Sequence, residues 1–212
     1  MKILAIQNRM GIGDMIIFLP FIEAIAKKYK TSVSILVKEN SKAEEYLSKN
    51  KNIEKIIYLD RNGKNGRHDG VLGALRLVKD LKKYEFKQVY IFNSSIRYYL
   101  IAKMTGIKNI YQYPLFKKKQ QHIVNAAKEF IKLQLDDDVQ SNPLINLDDK
   151  KIQAAKKIYR IEDAQTNILL GIGGSGPTKR IPAETFITFM EKASQQNNCK
   201  FFLATGSKKE EQ

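Results

Sequence analysis

Short apolar runs recur along the chain, separated by longer stretches in which apolar residues return every three or four positions. Runs at 2–6, 32–37, 53–59, 88–92 and 109–112 have the length and aliphatic content of buried strands. The stretches at 14–29, 41–49, 71–83, 95–105 and 121–135 carry the helical period. Pro20 must kink the first helix or mark the start of its regular part. Ser41 and Glu44 have the spacing of a capping box at the head of the second. Strands alternating with helices of this length imply βαβ units and a parallel sheet, an α/β fold.

The alternation breaks over 136–146, where Asp136-Asp137-Asp138 and Ser141-Asn142-Pro143 read as a solvated polar connection. A helix at 148–159 follows. The pattern then starts afresh with a strand at 166–171, a glycine-rich turn, a helix at 183–196 and a strand at 200–204. The expected organisation is one domain over 1–140, a linker and connecting helix over 141–165, and the opening of a second α/β domain over 166–212. One βαβ unit cannot close its own core, because a parallel sheet needs both faces covered. Either this unit docks on the first domain or the chain is a truncated piece of something longer; truncation is the favoured expectation.

Composition narrows the function classes. With 43% hydrophobic and 28% charged residues, the 212-residue chain is expected to be a soluble globular protein. The longest apolar stretch, 15–25, is interrupted by Pro20 and Glu23 and falls short of a membrane span. Cys199 is the only cysteine, which excludes an internal disulfide framework. His68 and His122 are the only histidines, and no metal site is expected. The cytoplasm is the expected compartment. The net charge of +15 suits nucleic acid, an anionic membrane surface or phosphorylated substrates. Lysine greatly outnumbers arginine, however, and the lysines spread over nearly every helix, so a solvated lysine-rich surface accounts for the charge equally well.

Two motifs carry candidate chemistry. The first, Gly11-Ile12-Gly13-Asp14, joins the first strand to the first helix. Gly11 and Gly13 allow positive φ or a close approach to a ligand. Asp14 then lies at the carboxyl end of the first strand, the edge where open α/β sheets bind ligands. It either caps its helix or accepts a proton from a substrate hydroxyl. The second motif, GIGGSGPTKRIP over 171–182, contains a formal G-x-G-x-x-G at Gly171, Gly173 and Gly176. It is not a dinucleotide fingerprint: Pro177 and Pro182 delay the helix, and the next strand ends in Ala204-Thr205-Gly206, without the acidic residue that would hold a ribose. Nor is it a Walker P-loop, since Pro177-Thr178 intervene before Lys179. Its glycines, Gly174 among them, expose backbone N–H groups; Ser175 and Thr178 add hydroxyls; Lys179 adds charge, and a helix start follows. These groups can hold a diphosphate, or the segment is a structural turn.

Together the motifs resemble the heptosyltransferases of bacterial lipopolysaccharide synthesis, glycosyltransferase family 9. The resemblance is carried by ILAIQNRMGIGDMIIFLP over 3–20, IEKIIYLDR over 53–61, VYIFNSSIR over 89–97 and, most specifically, GGSGPTKRIP over 173–182. The third stretch departs from the family, which often has Asp where this chain has Phe92-Asn93, and Ile181 stands where an aromatic is usual. The resemblance covers about the first two-thirds of a typical member. It implies a GT-B fold: an N-terminal Rossmann-like, doubly wound parallel sheet that binds the acceptor, and a second Rossmann-like domain, incomplete here, that binds a nucleotide sugar.

What it implies further is metal-independent, inverting transfer of a heptose or related sugar. The donor, ADP-heptose by this resemblance, is a substrate, and no cofactor is needed. Asp14 would be the general base, and Ser175, Thr178 and Lys179 would hold the donor diphosphate. The acceptor would be an anionic lipid-linked saccharide, met at the inner membrane surface. Arg61, Lys64 and Arg67, and Lys117-Lys118-Lys119, lie in loops after strands and could meet its charges, or be ordinary solvated loops. Tyr98 and Tyr99 read as packing residues and His122 as a helix start. The rivals are a non-catalytic basic module binding nucleic acid or anionic lipid, and an inactive family fragment.

Overall fold

Each of the five N-terminal aliphatic runs forms a strand. In the computed structural model, which describes residues 1–63, 65–115, 121–173 and 180–205, the first unit is a five-stranded parallel sheet flanked by helices on both faces. Its elements in chain order are β1 (Ile3–Ile6), α1 (Ile12–Tyr29), β2 (Val33–Lys38), α2 (Ala43–Leu47), β3 (Ile53–Leu59), α3 (Gly70–Lys82), β4 (Gln88–Ile91), α4 (Ile96–Met104), β5 (Asn109–Gln112) and α5 (Ile123–Leu135). The strand order is β3-β2-β1-β4-β5. The order reverses at β1, with β2 on one side and β4 on the other, and β1 is in register with both (Ile3 opposite Val33 and Gln88).

The period-two pleat sorts the side chains into two cores. Ile3, Ala5, Tyr90 and Phe92 face α1 and α5, whereas Leu4, Ile6, Val89 and Ile91 face α3 and α4. Aromatic rings thicken the first core. Phe130 of α5 lies 5.4 Å from Phe92 and 5.0 Å from Tyr113, edge to face. The Tyr29 and Tyr90 hydroxyls share a hydrogen bond of 2.8 Å. Burial, reinforced by that bond, raises the Tyr90 phenol well above its ordinary value.

Three expectations need correction. Pro20 does not mark the start of α1, which is helical from Ile12 onward. The capping box at Ser41 and Glu44 does not form. Residues 39–41 make a 3₁₀ turn, Lys42 adopts left-handed backbone (φ 49°) as the N-cap of α2, and the buried Ser41 hydroxyl is left without a partner. The second helix is accordingly five residues long. His122, by contrast, caps α5 as expected: its Nδ1 accepts the Val124 N–H at 3.4 Å.

The chain divides into two compact units, Met1–Leu147 and Asp148–Gln212. In the second, α6 (Asp149–Tyr159) is capped by Asp148, whose carboxylate accepts the Lys150 N–H. β6 (Thr166–Gly171) pairs in parallel with β7 (Cys199–Ala204), and α7 (Ala183–Gln196) connects them. Phe189 of α7 packs edge to face on Phe201. Among the described residues of this unit only Leu170 is buried, while Leu169 and Leu203 remain exposed on the two strands. Among the described residues of the whole chain, no helix is long and apolar enough to cross a membrane.

Candidate active site

The reversal of strand order at β1 defines a crevice at the carboxyl ends of β1 and β4. Gly11 ends the connection out of β1 with φ 93° and ψ 163°, a backbone state restricted to glycine. Its carbonyl accepts the first helical bond, from Met15 N–H. Gly13 is different. It lies within the helix, and a Cβ built on it meets nothing within 4 Å. Packing among the described residues therefore does not require a glycine there.

Asp14 occupies the first turn of α1 and is half-buried. The N-cap is Gly11 and no side chain caps this helix, so Asp14 is not the cap. Among the described residues no hydrogen bond or ion pair engages its carboxylate. Met10 and Ile12, beside it, are exposed apolar residues, and Arg9 is an exposed cation.

Across the crevice, Asn93 ties the strand ends together. Its amide donates to the Asn8 carbonyl oxygen at 3.1 Å, joining the segments after β4 and β1. Its own carbonyl oxygen accepts the Ser95 N–H at 2.9 Å, at the head of α4. Gln112, at the end of β5, donates to the backbone carbonyls of both Asn93 and Ser95 at 2.9 Å. The polar turn that departs from the family pattern is thus the knot that fixes β1, β4 and β5 relative to one another. Gln7, just before Asn8, is almost fully buried, and neither of its side-chain polar atoms has a partner.

The loop after β3 is built around two carboxylates. Asp69 accepts the N–H groups of Asn62, Gly63 and Gly66 on one oxygen, at 2.9–3.2 Å, and pairs with Arg61 at 3.5 Å. Burial raises its pKa, but those backbone donors and the Arg61 charge outweigh burial and hold it below the ordinary carboxylate value. Asp80 of α3 takes a forked pair from Arg67 (2.8–3.1 Å) and lies 3.1 Å from His68 Nε2. There too burial pushes upward, and the hydrogen bonds from Arg67 and His68 together with the Arg67 charge outweigh it, so the Asp80 pKa is lowered.

His68 is buried and held on four sides. Its Nδ1 accepts the Asp60 N–H, which leaves Nε2 to donate to Asp80. Its own N–H donates to Asp60 O, and its carbonyl accepts Arg97 at 2.7 Å. Arg61 and Arg67 therefore stand at the sheet's carboxyl edge as members of internal ion pairs.

Two clefts of about 320 Å³ open at this edge. One is lined by Met10, Lys38, Asn40, Leu59, Asp60 and Arg61, the other chiefly by Ser94, Gln112, Tyr113, Pro114 and Phe130. A larger cleft, about 510 Å³, lies along α1 and residues 137–146, away from the strand ends and from Asp14. Ligands of open α/β sheets bind at the strand ends; the two smaller clefts lie at that edge, and Asp14 lines neither of them. In the second unit, Gly171 ends β6, Gly173 is exposed and Arg180 precedes α7, whose N-cap is Pro182. Gly174, Ser175, Gly176, Thr178 and Lys179 lie outside the described residues, as do Lys64 and Lys117-Lys118-Lys119.

Reading the sequence alone missed Asn8, Asn93 and Gln112, whose partners lie far apart in the chain. The Asn-Ser-Ser turn directly after a buried strand was the available signal.

The parallel sheet of the first unit, with helices on both faces and the order reversed at β1, matches the fold of solved GT-B-type glycosyltransferases. Among solved structures, a glycosyl transferase family 9 protein from Veillonella parvula superposes on 95% of this chain with a TM-score of 0.73 at 20% identity. E. coli ADP-heptose lps heptosyltransferase II covers 96% of it with a TM-score of 0.70 at 14% identity. E. coli heptosyltransferase WaaC, solved with ADP, covers 98% with a TM-score of 0.64 at 14% identity. The chain spans 62%, 64% and 69% of those three proteins, less than two-thirds of the first two. At these identities the likeness is one of fold. No protein-family profile matches the chain, and no curated protein matches it.

Proposed function

We propose that this chain is the acceptor-binding domain and the opening of the donor-binding domain of an inverting, metal-independent glycosyltransferase. The observation that carries the reading is the placement of Asp14: a half-buried carboxylate at the strand reversal, not used as a helix cap and unpaired among the described residues. The fold shared with proteins described as glycosyl transferase family 9 and heptosyltransferase supports it.

In this reading the acceptor hydroxyl gives its proton to Asp14 as its oxygen bonds the anomeric carbon of the donor sugar. The bond from that carbon to the diphosphate breaks on the opposite side, the diphosphate keeps the electron pair, and the anomeric configuration inverts. Lys179, the Ser175 and Thr178 hydroxyls, the N–H groups around Gly173, Gly174 and Gly176, and the start of α7 neutralise the leaving charge. The donor is a nucleoside-diphosphate sugar, an ADP-heptose by the resemblance. The acceptor is an anionic lipid-linked saccharide reached from the cytoplasmic side of the membrane. Lys64 and Lys117-Lys118-Lys119 would supply its counter-charges, since Arg61 and Arg67 are already paired with Asp69 and Asp80.

The donor half is tested by calorimetric titration of the full-length gene product with ADP-heptose. Lys179→Ala is expected to weaken binding about tenfold or more, the loss of one charge-assisted contact to phosphate. Equal affinity in the two proteins would refute the assignment of that segment.

A further inference from the structure

The face of unit one that the site does not use carries an unusual surface. On α3 the buried positions Gly73, Leu77 and Leu81 form one stripe. The opposite stripe begins with Val71, Leu72 and Leu75, of which Val71 is 79% and Leu72 70% exposed. On α4 the residues Ile96, Leu100 and Met104, four apart and therefore in line along the helix, are each about half exposed. α3 and α4 pack side by side on the same core, so these six aliphatic side chains belong to one layer. Single exposed apolar residues are ordinary, but two such rows on neighbouring helices of one layer exceed that and point to an interaction surface.

The charges on the same two helices identify the partner. Arg76, Lys79 and Lys82 continue the outer stripe of α3, and Lys103 flanks Met104; all four are exposed. The only acid on either helix, Asp80, is turned to Arg67 and His68. From these observations we propose that the outer face of α3 and α4 docks on an anionic lipid bilayer, with the aliphatic side chains at the headgroup boundary and the cations on lipid phosphates. Interfacial helices bind by this pairing of apolar burial with basic residues. A second copy of the chain fits poorly, since an isologous contact would set these four cations against their own equivalents. Nucleic acid fits poorly as well: the aliphatic side chains offer no stacking platform, and Arg76 is the one exposed arginine of the two helices. The proposal does not rest on the transferase reading, although α3 and α4 both begin at the sheet edge that holds Asp14.

The test is co-sedimentation of the full chain with vesicles, which needs neither donor nor acceptor. The protein is expected to bind phosphatidylcholine vesicles containing phosphatidylglycerol, to release them as salt rises, and to ignore pure phosphatidylcholine. The double variant Leu72→Asn/Leu100→Asn is expected to lose about tenfold in partitioning with an unchanged thermal midpoint, the loss expected when two aliphatic side chains no longer enter the boundary. Leu133→Asn, at an exposed leucine on α5 across the sheet, is expected to partition like the parent. Four results would overturn the proposal: no binding to the anionic vesicles, a double variant that binds like the parent, an equal loss in Leu133→Asn, or a dimer or an RNA complex that the double variant disperses.

Discussion

Replacing Gly73 with alanine sets two effects of opposite sign against each other. Gly73 lies inside α3, where alanine is favoured over glycine by about 1 kcal/mol when nothing else changes. Here the added Cβ would overlap the carbonyl carbon of His68 and stand 2.8 Å from its Cα and O. These are backbone atoms and cannot rotate away. His68 is also anchored through its own N–H, its carbonyl and both ring nitrogens. Relief therefore requires a shift of the loop after β3 or of the start of α3, with the loss of one or more of those bonds. Overpacking costs about 1–3 kcal/mol, and each buried hydrogen bond lost about 1 kcal/mol more. The overlap outweighs the helix gain, leaving a net destabilisation of about 2 kcal/mol. For a chain of this size that lowers the thermal midpoint by roughly 4–8 °C. Thermal unfolding followed by circular dichroism reads the change. Gly73→Ala that raises the midpoint would refute the claim that the His68 backbone rests on this helix.

Gly13→Ala is the complementary case. With no atom within 4 Å of the new Cβ, it is expected to raise stability by up to about 1 kcal/mol and yet lower transfer, if a substrate approaches the backbone there; a variant both more stable and fully active would argue against a ligand at that turn. The loop carboxylates predict an acid limit. Asp69 and Asp80 both titrate below their ordinary value of 3.8, so the stability they contribute is present above about pH 4 and is lost as pH falls through their depressed values. Asp80→Asn is expected to lower stability at pH 6 and to flatten its fall below about pH 4; an unchanged acid profile would show that the Arg67–Asp80–His68 cluster does not hold the loop.

The middle of the parallel sheet was legible because β1, β2 and β4 are almost wholly buried, and burial on both faces leaves uninterrupted aliphatic runs in the sequence. The turn before α1 was legible for a different reason: the φ of 93° at Gly11 demands glycine. The failures share a cause. Ser41 and Glu44 satisfy a local rule, but Lys42 takes left-handed backbone between them, and local spacing does not report that conformation. The loop after β3 looked like open chain carrying free cations. Its order depends on Asp80, 13 positions beyond Arg67 and on the next helix, and on Arg97, a further element away. Asn93 looked like a departure from an expected acid, whereas its amide makes a bond to Asn8, 85 positions earlier, that an aspartate could not donate.

The account stands or falls on the role of Asp14, and the direct measurement is steady-state transfer by the full-length gene product with Asp14→Asn, alongside donor titration of the same protein. The side chains are nearly isosteric, but only the carboxylate can take a proton. The account predicts a fall in kcat of about 10²–10⁴-fold with donor affinity within a factor of about two of the parent. Transfer at the parental rate, or a loss of donor binding as large as the loss of rate, would contradict it.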